Sequence, residues 1–279
     1  MAFVGIVQCV FILGSFLVSE QPIVELCGFT FTEGPLWVKD IGWIFSDIPA
    51  NAVYKLDKTP FREPSGNSNG LAVDKEGRIY FAEHGNRRVS RMNKDGTFDV
   101  IAEKYQGKRL NSPNDLVIAR DGTVFFTDPP YGLPGGMEGP NSELGFCGIY
   151  CVTTGGEIRL LNKNLKKPNG IALSRDEKML YVADTEQNAV YKFVDFLKEG
   201  LIQEVKFCDV PMPDGIKMDT QNHLWVTSSE GVVIFDDEGH KIGSITIPKQ
   251  PSNCAFGGEK QDEFFVTGRD CVYIFRLKR

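Results

Sequence analysis

Apolar and polar positions alternate along most of the chain in short runs, and one pattern recurs six times. The segments TEGPLWVKDIGWIFSD (32–47), SNGLAVDKEGRIYFAE (68–83), PNDLVIARDGTVFFTD (113–128), PNGIALSRDEKMLYVAD (168–184), PDGIKMDTQNHLWVTS (213–228) and SNCAFGGEKQDEFFVTG (252–268) can be laid over one another, four of sixteen residues and two with one residue more. Each reads as a short apolar strand, a polar turn and a strand of alternating β-branched and aromatic residues, which is a hairpin. Most are followed by a third strand such as NAVYKLD, RRVSRMN, NAVYKFV or GVVIFDD. Six such units, 36 to 55 residues apart with no helical period between them, predict an all-β fold, a six-bladed β-propeller. PIVELC (22–27) is a spare strand ahead of the first unit, and the last unit has only three strands of its own. The spare strand is expected to complete the last blade and close the ring, which removes the sheet edges.

The propeller is thus expected over 22–279, behind an apolar extension over 1–19. AFVGIVQCVFILGSFLV (2–18) has the apolar character of a signal or membrane anchor, but the first basic residue of the chain is Lys39 and no A-x-A cleavage site follows. A signal or anchor on one side, and a poorly packed extension or a mis-called start on the other, both stay open. The rest of the chain leans to the cytoplasm, whereas a signal or anchor over Met1 to Ser19 would make the protein secreted or membrane-bound. The 279 residues carry a net charge of −6 with no cluster of Lys and Arg, which excludes a nucleic-acid surface. No protein partner is implied. Seven cysteines fit no CxxC spacing, and Cys147 and Cys151 lie too far apart along a strand to pair. They read as mostly buried thiols, and there is no N-x-S/T sequon in the chain.

The candidate chemistry lies in the register of the repeat. The second position of the six segments is Glu33, Asn69, Asn114, Asn169, Asp214 and Asn253. Every blade therefore starts its innermost strand with an oxygen-bearing side chain, and the ring brings them to one mouth of the central channel. Asn and Asp favour turns for local reasons, but six of six in one register, one of them Glu, points to a site. Amide and carboxylate oxygens without thiolate or imidazole suit one hard divalent cation, with calcium first, magnesium or manganese next, and zinc, which prefers nitrogen and sulfur, last.

The motifs EHGNRRVSR, GKRLNSPNDLV, FFTDPPYGL, PNGIALSRDEKMLYVADT, PDGIKMD and FGG resemble those of the gluconolactonase, senescence marker protein and luciferin-regenerating enzyme family, calcium-dependent six-bladed propeller lactonases, from about Val24 onward. The paraoxonases and diisopropylfluorophosphatase are more distantly similar. The resemblance implies Glu33, Asn114, Asn169 and Asp214 as metal ligands, Asp214 as general base, and Asn69 and Asn253 as channel-facing residues outside the regular ligand set. The mammalian branch carries a substrate-contacting arginine at the position of Ser112. Its replacement, with DPPYGL present, favours the bacterial and fungal gluconolactonase branch, with Ser112 and Asn69 as substrate-binding residues.

A metal-dependent hydrolase follows, one that opens a sugar (aldono)lactone by Lewis-acid activation of its carbonyl and attack of water. The alternatives are an organophosphate or other ester hydrolase on the same site, and a non-catalytic binding scaffold with a structural ion. His84 ends a strand that returns to the ligand face, so it is a second candidate base; its other reading is a loop histidine bonded to Glu83. His223 and His240 fall in turns and read as solvated. GNSNG (66–70) matches a nucleophile elbow but continues as strand, so Ser68 is not a nucleophile. The acids Asp47, Glu83, Asp128 and Asp184 end second strands and read as structural. The Gly- and Pro-rich stretch from Pro129 to Cys147 is expected to lie over the channel mouth, with Tyr131 and Leu133 walling the substrate.

Overall fold

The computed structural model describes residues 16–18, 21–196 and 203–278. They form six four-stranded antiparallel sheets with no α-helix among the described residues. The first blade is Thr32–Val38, Gly42–Asp47, Ala52–Lys55 and Pro60–Arg62, and the second is Ser68–Val73, Ile79–Glu83, Arg88–Met92 and Phe98–Ala102. Leu116–Ile118, Val124–Asp128, Gly148–Val152 and Ile158–Asn162 make the third, and Pro168–Leu173, Met179–Asp184, Ala189–Val194 and Gln203–Asp209 the fourth. The fifth is Ile216–Met218, Leu224–Ser228, Gly231–Phe235 and Lys241–Ile245. The sixth takes Asn253–Gly257, Glu263–Gly268 and Cys271–Arg276 from late in the chain, and Val24–Cys27 as its outer strand. The spare strand therefore closes the ring as the repeat predicts.

That closure is also covalent. Cys27 lies opposite Cys271 in the strand pairing and the two form a disulfide. The reading of the cysteines as buried thiols holds for Cys147, Cys151, Cys208 and Cys254 but not for this pair. The apolar stretch from Ala2 to Val18 lies mostly outside the described residues. Its last part packs on the propeller: Leu17 bridges to Leu277, and the ring of Phe16 meets Trp225 edge-on. No helix among the described residues is long and apolar enough to cross a membrane.

Period-2 alternation puts one row of apolar residues on each face of every blade, and neighbouring blades share them. Six buried clusters result, one at each interface: Val38, Ile44, Leu71 and Phe81 join the first two blades, and Trp43, Phe45, Phe265 and Ile274 join the sixth to the first. Each fully buried aromatic or aliphatic side chain contributes about 1.5–3 kcal/mol through removal from water.

Near the axis, polar ties replace apolar packing. Ser46 Oγ donates to the Asn69 carbonyl, Gly70 N–H to Asn114, Thr127 Oγ1 to Asn169, Gly170 N–H to Asp214, Gly215 N–H to Ser252, and Ser252 Oγ to Thr32, all between 2.7 and 2.9 Å. Every blade is thus tied to the next at the residue of the predicted register or its neighbour. In four blades the approach is close enough to require glycine after that residue: a Cβ on Gly34 would sit 2.1 Å from the Asn69 carbonyl oxygen, and one on Gly170 2.3 Å from that of Asp214. Gly34 also has a φ of +50°.

Candidate active site

The inner strands all begin at one mouth of the channel, and the structure gathers the register residues there. Glu33, Asn69, Asn114, Asn169 and Asp214 line a single cavity of about 260 Å³ with His84, Tyr131, Thr185 and Arg269; Phe31, Ile48, Met212 and Pro251 make its apolar wall. Asn253, the sixth register residue, is buried just beneath and does not line it. Its Nδ2 donates to Glu33 Oε2 at 3.0 Å, which also accepts the Gly34 N–H at 2.9 Å. Asn169 is oriented by its own amide, whose Nδ2 donates to Thr185 Oγ1 at 3.0 Å, and that hydroxyl donates to the Pro213 carbonyl at 2.7 Å.

His84 follows the strand Ile79–Glu83, as its position in the repeat predicts, but it does not bond Glu83. Glu83 is fully engaged by Arg62, Arg88, Asn86 and Ser90. The His84 imidazole meets Asn69 instead, with Nε2 3.3 Å from Asn69 Nδ2. Ser112 was expected at the substrate; its side chain is buried behind the loop and does not line the cavity. The hydroxyl is consumed there, donating to the Pro129 carbonyl at 2.6 Å and accepting the Gly132 N–H at 2.8 Å. Ser112 thereby holds the loop that carries Tyr131 to the cavity. Leu133 of the same loop turns inward, is buried, and does not wall the cavity. The strand-end acids cap the segments that lead into the inner strands: Asp47 accepts the N–H groups of Thr30 and Phe31, Asp128 that of Asn111, and Asp184 those of Lys166 and Lys167.

The electrostatics define what the cavity lacks. Burial, followed by the charge of Asp115, pushes the Glu33 carboxyl up to about 7 against the pull of Gly34 N–H, Asn253 and Lys217. Burial and the neighbouring Glu33 raise Asp214 well above the usual carboxylate range. Burial alone holds His84 down to about 4, and it carries Tyr131 up to about 12. Two acids share a site in which their charged forms are disfavoured, and the carbonyl oxygen Asn69 Oδ1 is buried without a hydrogen-bond partner. A hard cation meets the first condition, because it favours ionised carboxylates and takes amide oxygens such as those of Asn114 and Asn169 as ligands; the Asn69 oxygen is left for a hydrogen-bond donor. Among the described residues no group of three or more His, Cys, Asp or Glu side chains gathers in a metal-binding cluster, so a donor set here is mixed, two carboxylates with amides.

Sequence reasoning missed Asp115 and Lys217, which lie under the cavity, and the loop residues Thr185, Gln250 and Arg269 on its wall. The first two had a signal. The position after the register residue is glycine in four segments and Asp115 in a fifth, and the position three after it is apolar in five segments and Lys217 in the sixth. The loop residues belong to no repeated register.

A closed ring of six blades with an oxygen-lined cavity at one channel mouth defines a six-bladed propeller with a concave polar site rather than a flat binding platform. The chain belongs to the SMP-30/Gluconolactonase/LRE-like family, which it matches over residues 31–269. It is 34% identical to a gluconolactonase of Zymomonas mobilis over 89% of this chain and 79% of that one. It is 26% identical to a pentonolactonase of Haloferax volcanii over 84% and 80% of the two chains. The solved structure of a gluconolactonase from Xanthomonas campestris superposes with a TM-score of 0.81 at 31% identity, covering 95% of each chain.

Proposed function

We propose that this lactonase opens an aldonolactone at the cavity, with one divalent cation, calcium first, held by Glu33, Asn114, Asn169 and Asp214. The observation that carries the reading is the convergence of these four residues with Asn69, His84 and Tyr131 on one cavity, where burial disfavours the charge of both acids. A divalent ion bound there supplies polarisation of a carbonyl oxygen and the positive charge that lets the acids ionise.

The side chains account for the remaining steps. Asn69 offers an unpartnered carbonyl oxygen to a substrate hydroxyl. Tyr131 closes the open side, and Phe31, Ile48 and Pro251 face the carbon skeleton of the sugar. Water attacks the lactone carbonyl carbon, the bond from that carbon to the ring oxygen breaks, and the ring oxygen leaves as a hydroxyl. His84, neutral through burial, takes the proton of the attacking water and returns it to the departing ring oxygen; Asp214 is the second candidate for this role. Relatives that hydrolyse gluconolactones and pentonolactones support the substrate class.

Hydrolysis of a panel of aldonolactones in a pH-stat, with and without chelator, tests the reading. Activity should vanish in chelator and return with calcium. Full activity in chelator would remove the metal from the reaction, and no turnover of any aldonolactone with calcium present would remove the substrate class.

A further inference from the structure

Beneath the cavity, side chains from four blades meet at the axis of the channel. Asn253 of the sixth blade donates through Nδ2 to Glu33 Oε2 of the first at 3.0 Å, and the same nitrogen lies 3.4 Å from Asp115 Oδ2 of the third. Asp115 Oδ2 is in turn 3.4 Å from Lys217 Nζ of the fifth. Asn253 and Asp115 are locked from behind. Asn253 Oδ1 accepts the Cys254 N–H and Asp115 Oδ1 the Leu116 N–H, both at 2.9 Å, so neither side chain can rotate without losing a bond. Glu33, Asn253 and Asp115 are buried to 3% exposure or less, and Lys217 is one quarter exposed.

The arrangement has a charge. Among the described residues at this end of the channel, Glu33, Asp115 and Asp214 can each carry −1 and Lys217 carries +1. Lys217 cancels Asp115, and the two cavity acids are left with −2. Arg269 stands at the exposed rim, paired with Gln250; its charge also reaches Asp214, but it is the same in every variant below and so cancels from their comparison. A buried, unbalanced charge is costly unless a counter-ion of matching size supplies it.

We propose that Lys217 and Asp115 set the charge of the channel so that the site demands one divalent ion, with Asn253 linking them to Glu33 and fixing which of its oxygens faces the cavity. The inference rests on the proposed cation site and assigns these three residues as positioning residues, since none lines the cavity. Without Lys217 the channel carries −3 and suits a trivalent ion better; without the Asp115 charge it carries −1 and suits divalent and trivalent ions less, the trivalent most.

The experiment is calorimetric titration of chelator-treated protein with calcium and, separately, with terbium. Lys217→Met should raise the terbium-to-calcium affinity ratio about tenfold, the order expected of one unit charge acting through a medium of effective dielectric about 20. Asp115→Asn should lower it by a similar factor. The double variant, again at −2, should return to within about threefold of the wild type, a rescue that loss of packing cannot produce. Lys217→Gln gives the same reading if the methionine variant does not fold. A ratio unchanged in folded single variants, or a double variant that fails to restore it, overturns the proposal while leaving the cation site standing. Wild-type protein that takes up neither ion overturns both.

Discussion

Asn69 Nδ2 lies 3.3 Å from His84 Nε2, and Asn69 Oδ1, buried in the same contact, has no partner. With the amide in this orientation its nitrogen only donates, so Nε2 is the lone-pair nitrogen, the ring carries its proton on Nδ1, and Nε2 takes a proton from water only on giving up the Asn69 contact. Burial that holds His84 down to about 4 keeps this neutral form throughout the physiological range.

His84 and Asp214 are separable by substitution. His84→Gln leaves all four proposed ligands in place, so calcium affinity should stay within a factor of two while kcat falls roughly 10²-fold or more, the usual scale for loss of a general base. Asp214→Asn removes a ligand charge and should weaken calcium binding and kcat together. Asn69→Ala should raise KM more than it weakens calcium binding. Steady-state kinetics and calorimetry on the three variants decide the assignment, and an Asn69→Ala protein that loses calcium would move Asn69 into the ligand set.

Calcium should stabilise the fold. At a hundredfold excess over Kd the linkage amounts to about 2.7 kcal/mol, or roughly 5–10 °C in Tm for a chain of this size. Protons compete for the same carboxylate, since Glu33 is held up to about 7 without the ion. Calcium affinity should therefore weaken as pH falls, by up to roughly tenfold per unit for each proton displaced, since Asp214 is raised as well. Melting curves with and without calcium between pH 5 and 8 measure both effects.

Gly132 seats the cavity loop on His84. A Cβ there would lie 2.6 Å from His84 Cβ and 2.9 Å from Ser112 Cβ. Gly132→Ala should displace Tyr131 from the cavity wall and raise KM several-fold, with Tm lowered as well, since the same loop packs Leu144 and Phe146 between the second and third blades. An unchanged KM would show that the loop does not meet substrate.

Asp128 predicts a pH signature distinct from that of the site. It is fully buried, accepts the Asn111 N–H at 2.8 Å through Oδ2, and burial pushes it up to about 7. The folded protein retains a proton that the unfolded chain has lost above about 3.8. Its contribution to stability is full below that value and is lost as pH rises through about 7. Asp128→Asn cannot ionise, so its Tm relative to wild type should improve from pH 5 to about pH 7 and level off above that. A constant difference would show that Asp128 does not titrate in this interval.

The disulfide should matter most to the unfolded chain. Cys27 and Cys271 are 244 positions apart, so the bond restricts a very long loop. Cys27→Ser should cost about 2–5 kcal/mol, the usual range for removal of a native disulfide, visible as a lower midpoint in denaturant under non-reducing conditions and no difference once wild type is reduced.

Much of this was legible in the chain because a propeller repeats its local chemistry. The period-2 strands, the closing strand at 22–27 and the ring of register residues all follow from one alignment of the sequence on itself. What escaped it was set by contacts between non-repeated segments. Ser112 occupies a position from which a side chain could reach substrate, yet the Pro129 carbonyl and Gly132 N–H claim its hydroxyl. His84 found an amide rather than Glu83 because three basic or amide side chains and Ser90 had already taken that carboxylate. The disulfide could have been found: once 22–27 is paired antiparallel with the last strand, Cys27 falls opposite Cys271.

That bond gives the molecule a different topology from the one its sequence suggests. Between Cys27 and Cys271 the chain is a covalent circle, and within a circle no blade is first or last. The last blade is held shut by a bond as well as by its hydrogen-bonded ladder, so it is no weaker a seam than the other five. A single cut in the stretch from Pro129 to Cys147 would open the circle without dividing it, leaving one continuous molecule whose new ends lie beside the cavity.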